Sequence, residues 1–125
     1  MNIFGIGVDI VDLDRIKKIY SKYGDKFAYK ILNENEIKGF NSVKNKSSFL
    51  AKRFAAKEAI GKAFGIGILN GFLLKNISIY HDELGKPMAR LSSRKDFDLY
   101  LDKEIHISIS DEKKFAVANA LILSK

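Results

Sequence analysis

Apolar and polar residues alternate from Ile3 to Ile10, with Phe4, Ile6, Val8 and Ile10 on one face and Ile3, Gly5, Gly7 and Asp9 on the other. That alternation predicts a first strand. Asp12 is placed to cap a helix running through about Tyr23, with Leu13, Ile16, Tyr20 and Tyr23 as its apolar stripe and Arg15, Lys17, Lys18 and Lys22 on a basic face. A short helix through Phe27 to Leu32 and a third opening at Asn33, with Glu36 three residues on, read as packing elements without chemistry. After a polar, basic loop at Asn41 to Ser48, a long helix is predicted from about Ser48 to Phe64, closed by Gly65. Gly65, Gly67 and Gly71 punctuate the connection to a strand at Ile77 to His81, and Asp82 to Pro87 makes the turn into a strand at Met88 to Leu91. A short helix is expected at Asp96 to Leu101. Strict alternation then returns, with Ile105, Ile107 and Ile109 inward and His106, Ser108 and Ser110 opposite, before a tight turn at Asp111 to Lys114 and an apolar, central strand at Phe115 to Leu123.

The long helix departs from a simple amphipathic pattern. At about 100° per residue, Phe49, Leu50, Phe54, Ile60 and Phe64 fall in one arc, and Arg53 and Lys57 fall inside it. Glu58 and Lys62 point the other way, beside the small side chains of Ala51 and Ala55 rather than a solvated polar face. Both sides of such a helix can be covered, which leaves its charges to meet a ligand or a partner. Arg53, Lys57 and Lys62 suit an anion, and Glu58 among them suits a hard divalent cation shared with phosphates. The plainer alternative is a solvated helix in which Glu58 and Lys62 form an ordinary i,i+4 pair.

Composition narrows the classes. A chain of 125 residues fits one domain. The absence of cysteine excludes disulfides, thiolate metal sites and cysteine nucleophiles, and two histidines make a histidine-rich zinc site untenable. No segment reaches the length of a membrane span, and MNIFGIGVDI lacks the basic start and cleavage site of a secretory signal, so a cytoplasmic protein is expected. A formal charge of +7, from 22 Lys and Arg against 15 Asp and Glu, implies acidic partners without choosing among them. The basic face of the first helix is suited to docking an acidic helix of a protein substrate.

Asp9 ends an apolar strand on the face where Gly5 and Gly7 leave room for another backbone or a ligand. If that strand packs on the long helix, Asp9 and Glu58 are two carboxylates able to hold one Mg²⁺, with phosphate oxygens and waters completing its shell. A metal-bound water or Glu58 itself can then take a proton from an attacking hydroxyl while the cations offset a pyrophosphate. No GxxxxGK[ST] loop and no dinucleotide fingerprint occurs, so kinase-like machinery is unsupported.

Two blocks, GIGVDIVDLDRI at Gly5 to Ile16 and RFAAKEAIGKAFG at Arg53 to Gly65, together with the Gly85–Lys86–Pro87 turn and HISIS at His106 to Ser110, carry a resemblance. Over nearly its whole length the chain resembles the bacterial holo-acyl-carrier-protein synthases, the small class of phosphopantetheinyl transferases. The resemblance implies an α+β fold in one domain, 1–125, with a mainly antiparallel sheet packed against the long helix and active sites between subunits of a homotrimer. It implies transfer of 4'-phosphopantetheine from coenzyme A to a serine of apo acyl carrier protein, releasing adenosine 3',5'-bisphosphate, in fatty acid biosynthesis. Asp9 and Glu58 match the family's Mg²⁺ ligands. Glu58 is implied to activate the serine, directly or through water, and Lys62 to neutralise or protonate the leaving phosphate. Arg53, Lys57, Lys62, Gly85, Lys86, Pro87 and His106 match positions around coenzyme A, with Lys86 and His106 able to serve a neighbour's site. Arg15, Lys18 and Lys22 stand on the helix implied to receive the carrier. One position departs: the family's strand usually continues to a histidine, where this chain has Asp111, either a cap for the turn or an added acid near the site.

Two other classes compete. A small basic α+β domain binding nucleic acid accounts for the charge but has no use for Asp9 or Glu58, since an acid within a phosphate-contacting surface weakens binding. A purely structural oligomerisation domain leaves the clustered charges unexplained.

Overall fold

A computed structural model describes residues 2–66, 74–92 and 100–125. Strand β1 (Asn2–Asp12) leads into helices α1 (Leu13–Tyr23), α2 (Asp25–Ile31), α3 (Glu34–Ser42) and α4 (Lys46–Phe64). Strands β2 (Ile77–His81), β3 (Pro87–Leu91), β4 (Glu104–Asp111) and β5 (Phe115–Ser124) follow. The sheet order is β1-β5-β4, antiparallel throughout, with β5 in the centre as its apolar run predicts. β2 and β3 form a separate antiparallel hairpin. The connection through Gly67 and Gly71, and Asp96 to Leu99 of the expected short helix, lie outside the described residues.

Local chemistry sets the helix ends. Asp12 accepts from the N–H groups of Asp14 (2.9 Å) and Arg15 (3.3 Å), and so caps α1. Asn33 and Glu36 make the capping box that opens α3. Helix α4 starts at Lys46, two residues before its predicted start, because the Asn45 side chain accepts from Ser48 N–H at 3.1 Å. It ends where Gly65 turns left-handed at φ 78°.

The seam between α4 and the sheet is made of small residues. Gly7, Ala120 and Ile107 share one row across the three strands, and Asp9, Ala118 and Ile109 share the next. A Cβ on Gly5 would lie 1.8 Å from the Ala63 carbonyl oxygen, and one on Gly7 2.1 Å from that of Ala59. The space at those glycines is therefore filled by the backbone of α4, and the close approach brings Asp9 beside the helix. On the helix side, Ala55, Ala56, Ala59 and Ile60 are fully buried. α1, α2, α3 and β2 also pack on α4, so it is enclosed on both sides as the two-faced pattern predicts.

Two expectations need correction. The alternation of β1 breaks at Phe4, where the register slips between Ile3 and Gly5. That bulge brings Phe4 against Phe64 of α4 (6.0 Å between ring centroids) and Tyr100 (6.4 Å), away from Ile6, Val8 and Ile10. Tyr23, assigned to the core stripe of α1, is 54% exposed, because the helix ends there and Gly24 turns the chain away.

Candidate active site

The glycine seam places Asp9 next to the second half of α4. Lys62 Nζ donates to Asp9 Oδ1 (3.0 Å) and to the Val8 carbonyl (2.9 Å), so the lysine reaches across to the strand rather than back along its own helix. Asp9 is mostly covered and Lys62 half exposed. Among the described residues Glu58 has no hydrogen bond or ion pair from its carboxylate. Burial pushes the Glu58 carboxyl above its ordinary range, the Asp9 charge adds to that, and Lys62 opposes it. Two crowded carboxylates with only oxygen donors fit a hard cation such as Mg²⁺, which would relieve the repulsion between them. No third His, Asp or Glu joins them among the described residues. Substrate and water would supply the cation's remaining ligands.

About one and a half turns earlier on α4, Arg53 lines a cleft of about 540 Å³. Phe49 and Lys52 of α4 also line it, facing His81, Gly85 and Pro87 of the β2–β3 hairpin and Asp111 of β4. Asp82 builds the turn on the far wall: its Oδ1 accepts from Leu84 and Lys86 N–H, each at 2.9 Å, and Gly85 adopts φ 85°. The Lys86 side chain is exposed beside that wall. Arg53 stacks on Phe49, its guanidinium carbon 3.7 Å from the ring centroid.

Lys57 does not reach the cleft. Its ammonium is fully buried, donating to Glu36 Oε1 and to the Ile31 carbonyl (2.7 Å), so the expected contact with coenzyme A phosphates is corrected to an internal ion pair. Desolvation pulls the Lys57 pKa down and Glu36 pulls it back up. A lysine inside an apolar arc signals a covered charge. Its partner, 21 residues earlier, carries no local signature, and Glu36 was read only as a capping residue.

His106 stands in a cross-strand row with Ile6 and Leu121, on the face of the sheet opposite the row of Asp9 and Ala118. It is exposed, 3.5 Å from Glu104, and does not meet Asp9, Glu58 or Arg53. Ser108 and Ser110 share that open face. Asp111 instead lies on the helix face at the cleft, 4.0 Å from Lys52. The following turn is closed by Glu112, whose N–H donates to the Phe115 carbonyl and whose side chain accepts from Lys114 N–H. Asp111 is thus the added acid rather than the turn cap. Arg15, Lys18 and Lys22 are exposed on α1, with Lys18 paired to Asp14 at 3.1 Å.

A sequence profile described as the 4'-phosphopantetheinyl transferase superfamily matches residues 5–120. The chain is 42% identical over 126 residues to the holo-acyl-carrier-protein synthase of Vibrio parahaemolyticus, covering 99% of this chain and all of that protein. The crystal structure of the holo-acyl-carrier-protein synthase from Neisseria meningitidis superposes with a TM-score of 0.89 at 39% identity, covering 97% of this chain and 98% of that one. A holo-acyl-carrier-protein synthase from Bacillus anthracis, in complex with coenzyme A (3',5'-ADP), superposes with a TM-score of 0.84 at 39% identity, covering 98% of each chain.

Proposed function

Because the chain belongs to the 4'-phosphopantetheinyl transferase superfamily, among the holo-acyl-carrier-protein synthases, we propose that Asp9, Glu58 and Lys62 are its reaction centre and the Arg53 cleft its nucleotide site. The reaction is transfer of 4'-phosphopantetheine from coenzyme A to a serine of apo acyl carrier protein. The observation that carries the assignment is the convergence of Asp9 of β1 with Glu58 and Lys62 of α4, one and a half turns from an arginine-lined cleft. A molecule with a nucleotide joined to a diphosphate can span that distance.

The serine hydroxyl attacks the phosphorus that bears the pantetheine. Its new P–O bond replaces the one to the nucleotide, which leaves as adenosine 3',5'-bisphosphate. Glu58, whose carboxylate has no internal partner among the described residues, takes the serine proton, directly or through water. Lys62 turns from Asp9 towards the phosphate and offsets the charge that builds on the leaving group. Asp9 and Glu58 would hold Mg²⁺, which would supply Lewis-acid charge to the diphosphate when bound. Arg53, Gly85, Lys86 and Pro87 hold the nucleotide, with Phe49 fixing the plane of the guanidinium.

His106 serves the site of an adjoining copy in a homotrimer. The support is the sheet itself: His106 shares its open face with Ile6, Val8 and Ile10, which are 74%, 53% and 63% exposed in a single chain. Such an apolar surface calls for a cover, and another copy of the chain would bring His106 to a second α4. The exposed bases Arg15, Lys18 and Lys22 of α1 receive the acidic carrier. The protein acts as one domain in the cytoplasm and serves fatty acid biosynthesis. No helix of the described residues is long and apolar enough to cross a membrane. A nucleic-acid-binding reading gains no support from these relatives, and it leaves Asp9 and Glu58 without a role.

Glu58→Gln separates the two readings. Transfer falls by about a hundredfold or more while the protein stays folded and binds coenzyme A. Near-normal transfer by the variant contradicts the role of Glu58, and tightened binding of nucleic acid with no transfer by the parent protein would favour the rival.

A further inference from the structure

Glu36 has been given no chemistry, yet it is 3% exposed and joins three elements. Its Oε1 accepts from Lys57 Nζ of α4 and from Asn33 N–H (3.1 Å) at the start of α3. Its Oε2 accepts from Ile79 N–H of β2 (3.2 Å) and lies 3.3 Å from Arg53 Nε, an ion pair without hydrogen-bond alignment. Arg53 also donates through one Nη to the Ile79 carbonyl at 3.4 Å.

The charges do not cancel. One carboxylate faces two cations, and burial disfavours the charged forms of both Arg53 and Lys57. Lys57 is sealed in, so the surplus positive charge is presented at Arg53, which lines the cleft. The guanidinium has the Glu36 carboxylate 3.3 Å from Nε as an ion pair, donates through one Nη to Ile79 and stacks on Phe49. A fork fixed on three sides loses little freedom when an anion arrives. The same carboxylate ties β2, and with it the hairpin bearing Gly85 and Pro87, to α4 on the opposite wall.

We propose that Glu36 is a positioning residue for coenzyme A: its Oε2 sets Arg53 at the cleft wall and the β2–β3 hairpin across from it, and its Oε1 keeps Lys57 out of the cleft. This rests on the nucleotide assignment above and goes beyond it in naming a residue that never touches the ligand. A glutamate that only stabilised the fold would not discriminate between the two substrates. A positioning residue acting through Arg53 would.

The test is calorimetric titration of coenzyme A, alongside steady-state kinetics, on the parent protein, Glu36→Gln, Arg53→Ala and the double variant. Because Glu36→Gln strands the buried Lys57 charge and can fail to fold, Glu36→Gln/Lys57→Met takes its place in the cycle if thermal melts show it unfolded. The expected result is a Kd and KM for coenzyme A raised about tenfold, with the KM for carrier protein unchanged and no further loss when the change is added to Arg53→Ala. Unchanged affinity for coenzyme A, equal weakening towards both substrates, or losses that add to those of Arg53→Ala overturn the proposal. A parent protein that binds coenzyme A but transfers nothing overturns the functional reading, and the titration still decides on Glu36.

Discussion

At the scale of single residues, the site is governed by which charges are enclosed and which are left facing a cavity. Lys57 and Arg53 sit one turn apart on α4, yet one is sealed against Glu36 and the other lines the cleft. Both fall in the apolar arc, and the pattern along the helix assigns both to an anion. It could not foretell their division, because that depends on a carboxylate brought from α3 by tertiary packing. Glu58 and Asp9 stand out in the sequence for the opposite reason, as acids set among basic and apolar neighbours. His81, on the hairpin side of the cleft, gives a direct electrostatic test. Burial, then the charges of Arg53 and Lys52, hold its pKa below the ordinary 6.5, with Asp82 acting against them. The folded pKa therefore lies under the unfolded one. Between the two values the unfolded chain binds more protons, so this group costs stability as pH falls below about 6.5. An NMR titration is expected to give a His81 midpoint below 6.5. A midpoint at or above it contradicts the placement of His81 beside the two cations.

At the scale of elements, the contact of β1 with α4 is what assembles the site. Asp9 meets Lys62 only because Gly5 and Gly7 let the carbonyls of Ala63 and Ala59 come close. Gly7→Ala places a Cβ 2.1 Å from a helix backbone that cannot give way as a side chain could. The expected cost is about 3 kcal/mol in denaturant unfolding, with transfer reduced as Asp9 moves from α4. Gly65→Ala is the comparison: its Cβ meets nothing within 4 Å, and the cost is the left-handed backbone alone, about 1 kcal/mol. Equal, small losses in both variants would contradict the close packing. The glycines were legible as room for another backbone or a ligand, of which the α4 backbone fills the space, and the helix caps at Asp12, Asn33 and Gly65 were legible from residue type. The bulge at Phe4 was not, since the slip is bound up with Phe64 and Tyr100, 60 and 96 residues away, which alternation within one strand does not see.

At the scale of the whole molecule, one chain holds half of the expected machinery on each face of its sheet. Asp9 and Asp111 face α4, while His106 shares the outer face with Ile6, Val8 and Ile10. Periodicity in β4 foretold that His106 and the isoleucines would part company. The sheet order then fixed which face each would take. The proposed homotrimer uses that outer face. Val8→Glu is accordingly expected to sediment as a smaller species and to lose transfer while its helical circular dichroism persists. A parent protein that sediments as a monomer while active, or a variant that stays trimeric, contradicts the assembly. The central claim, that this chain moves phosphopantetheine onto a carrier, is reached most directly by intact-mass spectrometry. An apo acyl carrier protein is incubated with this protein, coenzyme A and Mg²⁺, with and without EDTA. The account predicts that the carrier gains the mass of one phosphopantetheine group, and that EDTA abolishes the gain. A carrier of unchanged mass after incubation with folded protein, across several acyl carrier proteins, contradicts it.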